Sequence, residues 1–77
     1  MTGDRTYEKC LEIVEASGQP LHTQEIVRKI PGASNYVIKS RLVRLMSEGR
    51  ISGRALDISK GVWIWWPRDA FAKQEVR

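Results

Sequence analysis

The hydrophobic period of this chain changes once, and it changes at a glycine. Before Gly49, Ile38, Leu42 and Leu45 recur at helical spacing along the stretch that opens at Ser34. After Gly49 the period falls to about 2, the spacing of strands. Two stretches carry it, 50–56 and 62–66. A chain patterned in this way places helices first and a hairpin last, an α+β arrangement.

The boundaries of the central helix carry their own signals. Ser34 is a good N-cap, because its hydroxyl can accept from an orphan N–H. Gly49 suits the left-handed position just past the last turn. The face opposite Ile38, Leu42 and Leu45 holds Tyr36, Lys39, Ser40, Val43, Arg44 and Ser47. It has cations, hydroxyls and one aromatic, and no acid before Glu48. Such a face is suited to lie against something negative.

Two helices precede it. Over residues 4–17, Tyr7, Cys10, Leu11 and Val14 form an apolar stripe, with Asp4 or Thr6 as cap and Gly18 as stop. The polar face of that helix is mostly acidic: Glu8, Glu12 and Glu15 beside Lys9. Gln19-Pro20 turns the chain, since proline cannot continue a helix. Leu21 is a short extended step. A second helix opens with His22 or Thr23 at its N-cap; Thr23 has the better capping hydroxyl, and His22 has Glu25 three residues on. Ile26, Val27 and Ile30 give this helix a core face, and Pro31-Gly32 ends it. Two helices joined by a few residues containing glycine have helix-turn-helix spacing.

In the hairpin, residues 57–61 form the loop, with Gly61 at its exit. Gly53, inside the first strand, marks a bulge or a close approach. Alternation puts Val62, Ile64 and Trp66 on one side of the second strand and Trp63 and Trp65 on the other. Either set can close the core, and neither leaves a wet face. A partly exposed Trp63 or Trp65, covered by the tail or by a second subunit, is the expected outcome. Leu11, Val14, Ile26, Ile30, Ile38, Leu42, Leu45 and Ile51 are expected to be buried together.

The chain has 77 residues, enough for a single domain with a small core. That domain is expected over 1–66, followed by a tail, 67–77, that is either helical or disordered. No apolar run is long enough to span a bilayer and no signal peptide is visible, so no membrane partner is expected. The lone Cys10 cannot form an internal disulfide. A reduced, intracellular setting (cytoplasm, nucleoid or nucleus) is the simplest reading. The net charge is +4, and it is unevenly spread. Residues 1–18 carry −2, whereas residues 34–66 carry +4, from Lys39, Arg41, Arg44, Arg50, Arg54 and Lys60 against Glu48 and Asp57. A cationic excess gathered in one region is an electrostatic footprint for a polyanion.

The order helix, short strand, helix, turn, helix, basic hairpin resembles the winged helix-turn-helix family. The matching residues are Pro20–Ile26, then Ser34 with Leu42 and Leu45, then Glu48-Gly49-Arg50-Ile51, then Gly61-Val62-Trp63. The likeness covers roughly residues 4–66. It implies a small fold of three helices with a C-terminal β-hairpin wing. It also implies a function: sequence-specific binding of double-stranded DNA, as in a small transcriptional regulator. The third helix, 34–48, would enter the major groove and the wing, 50–66, would lie on the backbone. Asn35, Tyr36, Lys39, Ser40 and Val43 would then face base edges, where each base pair shows a distinct pattern. Arg41, Arg44, Arg54, Ser59 and Lys60 would hold phosphates, which position the domain without specifying sequence. Within the same layout, Z-DNA-binding domains carry Asn and Tyr where this chain has Lys39 and Val43, although Trp63 matches their tryptophan. A homodimer would suit the reading of two half-sites. The resemblance implies no cofactor.

Two other classes of function compete with this one. A winged helix can serve as a protein-interaction module, and the tryptophan-rich strand would then supply the contact. For an enzyme there is no phosphate loop, metal-ligand cluster or nucleophile elbow, and His22 and Cys10 lie on different elements.

Overall fold

In a computed structural model, the described residues are 5–57 and 59–68. They form three helices and a three-stranded antiparallel sheet: α1 (Arg5–Ala16), β1 (Leu21–His22), α2 (Thr23–Arg28), α3 (Asn35–Ser47), β2 (Ile51–Asp57) and β3 (Val62–Pro67). The strand order is β1-β3-β2, so the tryptophan-rich strand is central. The short extended step at Leu21 is a real strand, pairing Leu21 with Trp65 and His22 with Ile64.

Local chemistry explains the element ends. Ser34 Oγ accepts from the Val37 N–H at 3.1 Å and caps α3. At the other end Arg50 N–H donates to Leu45 O at 2.9 Å and Gly49 N–H to Met46 O at 3.0 Å. That pair of bonds is the Schellman arrangement, and it needs the φ of 79° that Gly49 supplies. α2 is brief because Pro31 follows so closely; its last N–H groups already make three-residue turns, Lys29 to Ile26 O and Ile30 to Val27 O. His22, not Thr23, is the N-cap of α2, and Glu25 reaches back to accept the His22 N–H at 2.7 Å.

The core contains Cys10, Val14, Leu21, Ile26, Ile30, Ile38, Leu42, Leu45, Ile51 and Trp65. Seven of the eight residues expected there are present. Leu11 differs: it is half-buried against the cluster, while its neighbour Cys10 is wholly enclosed.

Trp65 settles which face of β3 looks inward. It is 0% exposed, and its Nε1–H donates to Thr23 Oγ1 at 2.8 Å. Thr23 thus serves the indole rather than the helix end. Trp63 stacks on Trp65 with ring centroids 5.3 Å apart and planes 14° from parallel. Gly53 lies opposite Trp65 across the ladder, and a Cβ there would stand 2.4 Å from the indole. Gly53 is therefore the close approach, and the bulge lies elsewhere. It falls between Ala55 and Asp57, leaving Leu56 as the extra residue of β2, 55% exposed. The partial exposure expected for Trp63 is present; any cover from residues 69–77 lies outside the described residues.

No helix among the described residues is long and apolar enough to cross a membrane.

Candidate nucleic-acid interface

The outer face of α3 gathers what its periodicity promised. Asn35, Tyr36, Lys39, Ser40 and Val43 line one shallow depression. Tyr36 stands 82% exposed and Val43 39%, so an aromatic and a branched aliphatic side chain meet solvent between polar neighbours. This geometry follows from the helix itself: with Ile38, Leu42 and Leu45 fully buried, the positions between them turn outward.

Beside that face lies a cleft of ≈ 620 Å³, walled by α2, the first turns of α3 and the exit of the β2–β3 loop. Arg28, Lys39 and Lys60 bring three cations to it, against the single carboxylate of Glu25. Asn35, Gln24 and His22 add neutral polar groups, and Val62 and Trp63 an apolar wall. Lys39 belongs to both surfaces. Its ammonium lies 5.7 Å from the centre of the Trp63 ring, a cation–π distance that ties α3 to the hairpin. Gly61 answers to its φ of 69° rather than to space: a Cβ there would make only ordinary contact with Lys39 Nζ, at 3.8 Å.

The loop that presents Lys60 is stiffened by Asp57. One carboxylate oxygen accepts from Ser59 N–H at 3.1 Å, Ser59 Oγ–H at 2.7 Å and Lys60 N–H at 3.3 Å. The Ser59 hydroxyl is engaged in the turn itself, as in an Asx turn.

The remaining cations expected at this surface lie apart. Arg44 Nε donates to Glu48 Oε2 at 3.1 Å, and its guanidinium sits 4.9 Å from the centre of the Tyr7 ring. It locks α3 to α1. Arg41 is half-buried, with one guanidinium nitrogen 2.9 Å from Ser40 Oγ. Arg54 pairs across the ladder with Ile64, on the opposite sheet face from Gly53 and Trp65, and so away from the buried indole. No family model, curated protein or solved structure matches this chain.

Five cleft residues on the α2 side, His22, Thr23, Gln24, Glu25 and Arg28, were not among the site residues expected from the sequence. All belong to the start or exposed side of α2, and only the docking of α2 against α3 and the hairpin brings them near Lys39. The one signal in the sequence was that Ile26, on the core face of α2, turns Gln24 and Arg28 outward.

The Tyr7 hydroxyl donates to Glu48 Oε1 and so joins α1 to the end of α3. This bond raises the Tyr7 pKa above the usual phenol range. It is also the largest cause holding the Glu48 carboxyl below the usual carboxylate range, followed by the hydrogen bond from Arg44. The signs predict stability lost at both extremes. The Glu48 contribution is complete above the carboxyl's unfolded pKa and disappears as pH falls through its lower folded value. The Tyr7 contribution is complete below the phenol's unfolded pKa and disappears as pH rises through its higher folded value. Melting temperature measured against pH should therefore fall less steeply on both limbs in Tyr7→Phe than in the parent. Identical limbs in the two proteins would show that the bond adds nothing in solution.

Proposed function

We propose that this protein binds double-stranded DNA as a winged helix-turn-helix domain, with α3 in the major groove and the β2–β3 hairpin as the wing. A small transcriptional regulator is the role that fits a chain of this kind. The observation that carries the reading is the α3 surface: five polar, aromatic and aliphatic side chains in one exposed depression, bordered by a cleft with three cations. The acids of α1, Glu8, Glu12 and Glu15, are exposed on a different helix and line neither surface.

The geometry divides the labour. Asn35, Tyr36, Ser40 and Val43 are the base-facing group; Val43 offers a methyl contact to thymine. Lys39 is held against the hairpin and works with Lys60 as a phosphate contact. Arg54, on the far face of the hairpin, reaches the backbone only if the duplex wraps past the loop.

A salt titration against random duplex, single-stranded DNA and RNA tests this. Duplex should bind most tightly, and log K should fall linearly with log salt. Lys39→Ala and Lys60→Ala should each reduce the magnitude of that slope by about 0.9, with little change in the preferred sequence. Asn35→Ala or Ser40→Ala should instead change the preference, at a cost of about 1–3 kcal/mol for each good pairing with a base edge. Neutralising Glu12 and Glu15 should leave the preference unaltered. A Lys39/Lys60 double variant that binds duplex like its parent at every salt would remove the case for this interface.

An interaction module is the rival, and the exposed Tyr36, Val43 and Leu56 favour it. Trp65 cannot serve it, being fully enclosed. Gel filtration with duplex at low salt separates the two: a DNA-binding domain shifts in elution, and an adaptor does not.

A further inference from the structure

We propose that the cleft between α2, α3 and the loop exit is a binding site for a free mononucleotide, apart from any role it has on duplex DNA. The size is right: ≈ 620 Å³ lies within the range of small-molecule sites. The charge is right as well. Three cations against one carboxylate leave an excess of two positive charges. A phosphate monoester carries about −1.5 to −2 at neutral pH. Glu25, the one acid, is turned to its own backbone, accepting the His22 N–H at 2.7 Å.

The cations arrive from three separate elements around one cleft rather than from a stripe along a single helix. Arg28 is at the end of α2, Lys39 is on α3 and Lys60 is in the loop. Lys39 is pre-positioned by the Trp63 ring, and the loop bearing Lys60 is fixed by Asp57. The Lys39 ammonium and the backbone that carries Lys60 are thus placed before an anion enters, which lowers the ordering cost of binding. The rest of the wall suits the other half of such a ligand. Asn35 and Gln24 offer amide donors and acceptors to a base or ribose, and Val62 with the edge of Trp63 offers apolar contact.

Calorimetric titration of the whole chain at low salt with adenosine 5′-monophosphate, guanosine 5′-monophosphate, adenosine and inorganic phosphate tests the assignment. At least one mononucleotide should bind with one-to-one saturation. Adenosine should be silent, and inorganic phosphate should bind more weakly than the nucleotide. Arg28→Ala and Lys60→Ala, both at exposed positions, should each weaken the nucleotide roughly tenfold or more. Lys39→Ala should do the same, with circular dichroism confirming that it folds. Lys9→Ala, an equal loss of charge on α1, should change nothing.

Absence of saturable binding by either mononucleotide overturns the proposal. So does adenosine or inorganic phosphate binding as tightly as the nucleotide, or full affinity in both Arg28→Ala and Lys60→Ala. Duplex titrated in parallel keeps the two readings separate. Nucleotide binding without duplex binding leaves this site standing and removes the DNA-binding reading. Duplex binding without nucleotide binding does the reverse.

Discussion

Trp65→Ala should lower the melting temperature further than any other single truncation, by on the order of tens of degrees. The indole is the largest fully buried side chain, and three elements close on it. Leu21 of β1 and Gly53 of β2 flank it across the two ladders, and Thr23 at the start of α2 accepts its N–H. Truncating a buried tryptophan typically costs about 3–5 kcal/mol. At roughly 0.05–0.15 kcal/mol per residue, a chain of this length has a total stability of only about 4–12 kcal/mol. Neighbours cannot collapse into the space easily, because Gly53 has no side chain to advance. Trp65→Phe should lose less, retaining the ring but leaving the Thr23 hydroxyl without its donor. Thermal melts followed by circular dichroism measure both. A Trp65→Ala protein that melts near the parent temperature would show that the indole is not the centre of the fold.

Leu42→Ala should cost nearly as much, about 2–5 kcal/mol. Leu42 lies one turn after Ile38 on the inward stripe of α3, and both are 0% exposed. Its sequence neighbour makes the comparison. Val43 is 39% exposed on the outer face, so Val43→Ala should fall within about 0.5 kcal/mol of the parent. Two adjacent aliphatic truncations with opposite consequences would fix the rotation of α3 about its axis. Equal melting temperatures for the two variants would mean that the helix is rotated from this arrangement. The binding assays would give the mirror image, with Val43→Ala altering sequence preference in a protein of normal stability.

How much could be read in advance depended on whether a signal was local. α3 was legible from end to end, because Ser34, the Ile38–Leu42–Leu45 stripe and Gly49 each act within one or two turns. The hairpin was legible for the same reason. The inward face of β3 was not, since Val62-Trp63-Ile64-Trp65-Trp66 is apolar on both sides and period 2 is symmetric. The answer lay on another strand: Gly53, with no side chain, leaves room for the Trp65 indole on the face the two share. Thr23 was misread because its capping chemistry is intrinsic, whereas Trp65, its actual partner, is 42 residues away. The helix period put Tyr36, Lys39, Ser40 and Val43 on one face, and these four line one depression together with Asn35. It could not foresee that Arg44 would turn to Tyr7 and Glu48, or that Arg54 and Lys60 would part to different sides of the hairpin. A charge count treats those cations alike; tertiary structure does not.

The placement of β2 has a consequence for how molecules of this chain meet one another. It is an outer strand, and among the described residues nothing pairs with its far side. Unpaired N–H and C=O groups along a seven-residue strand are a template for another strand. The bulge at Leu56 interrupts that template near the loop, and the charge of Arg54 guards its middle. The first part, Ile51 to Gly53, has neither safeguard. Self-association of a crowded or partly unfolded population should therefore begin there, at the end of the strand nearest α3, and the loop end should stay free.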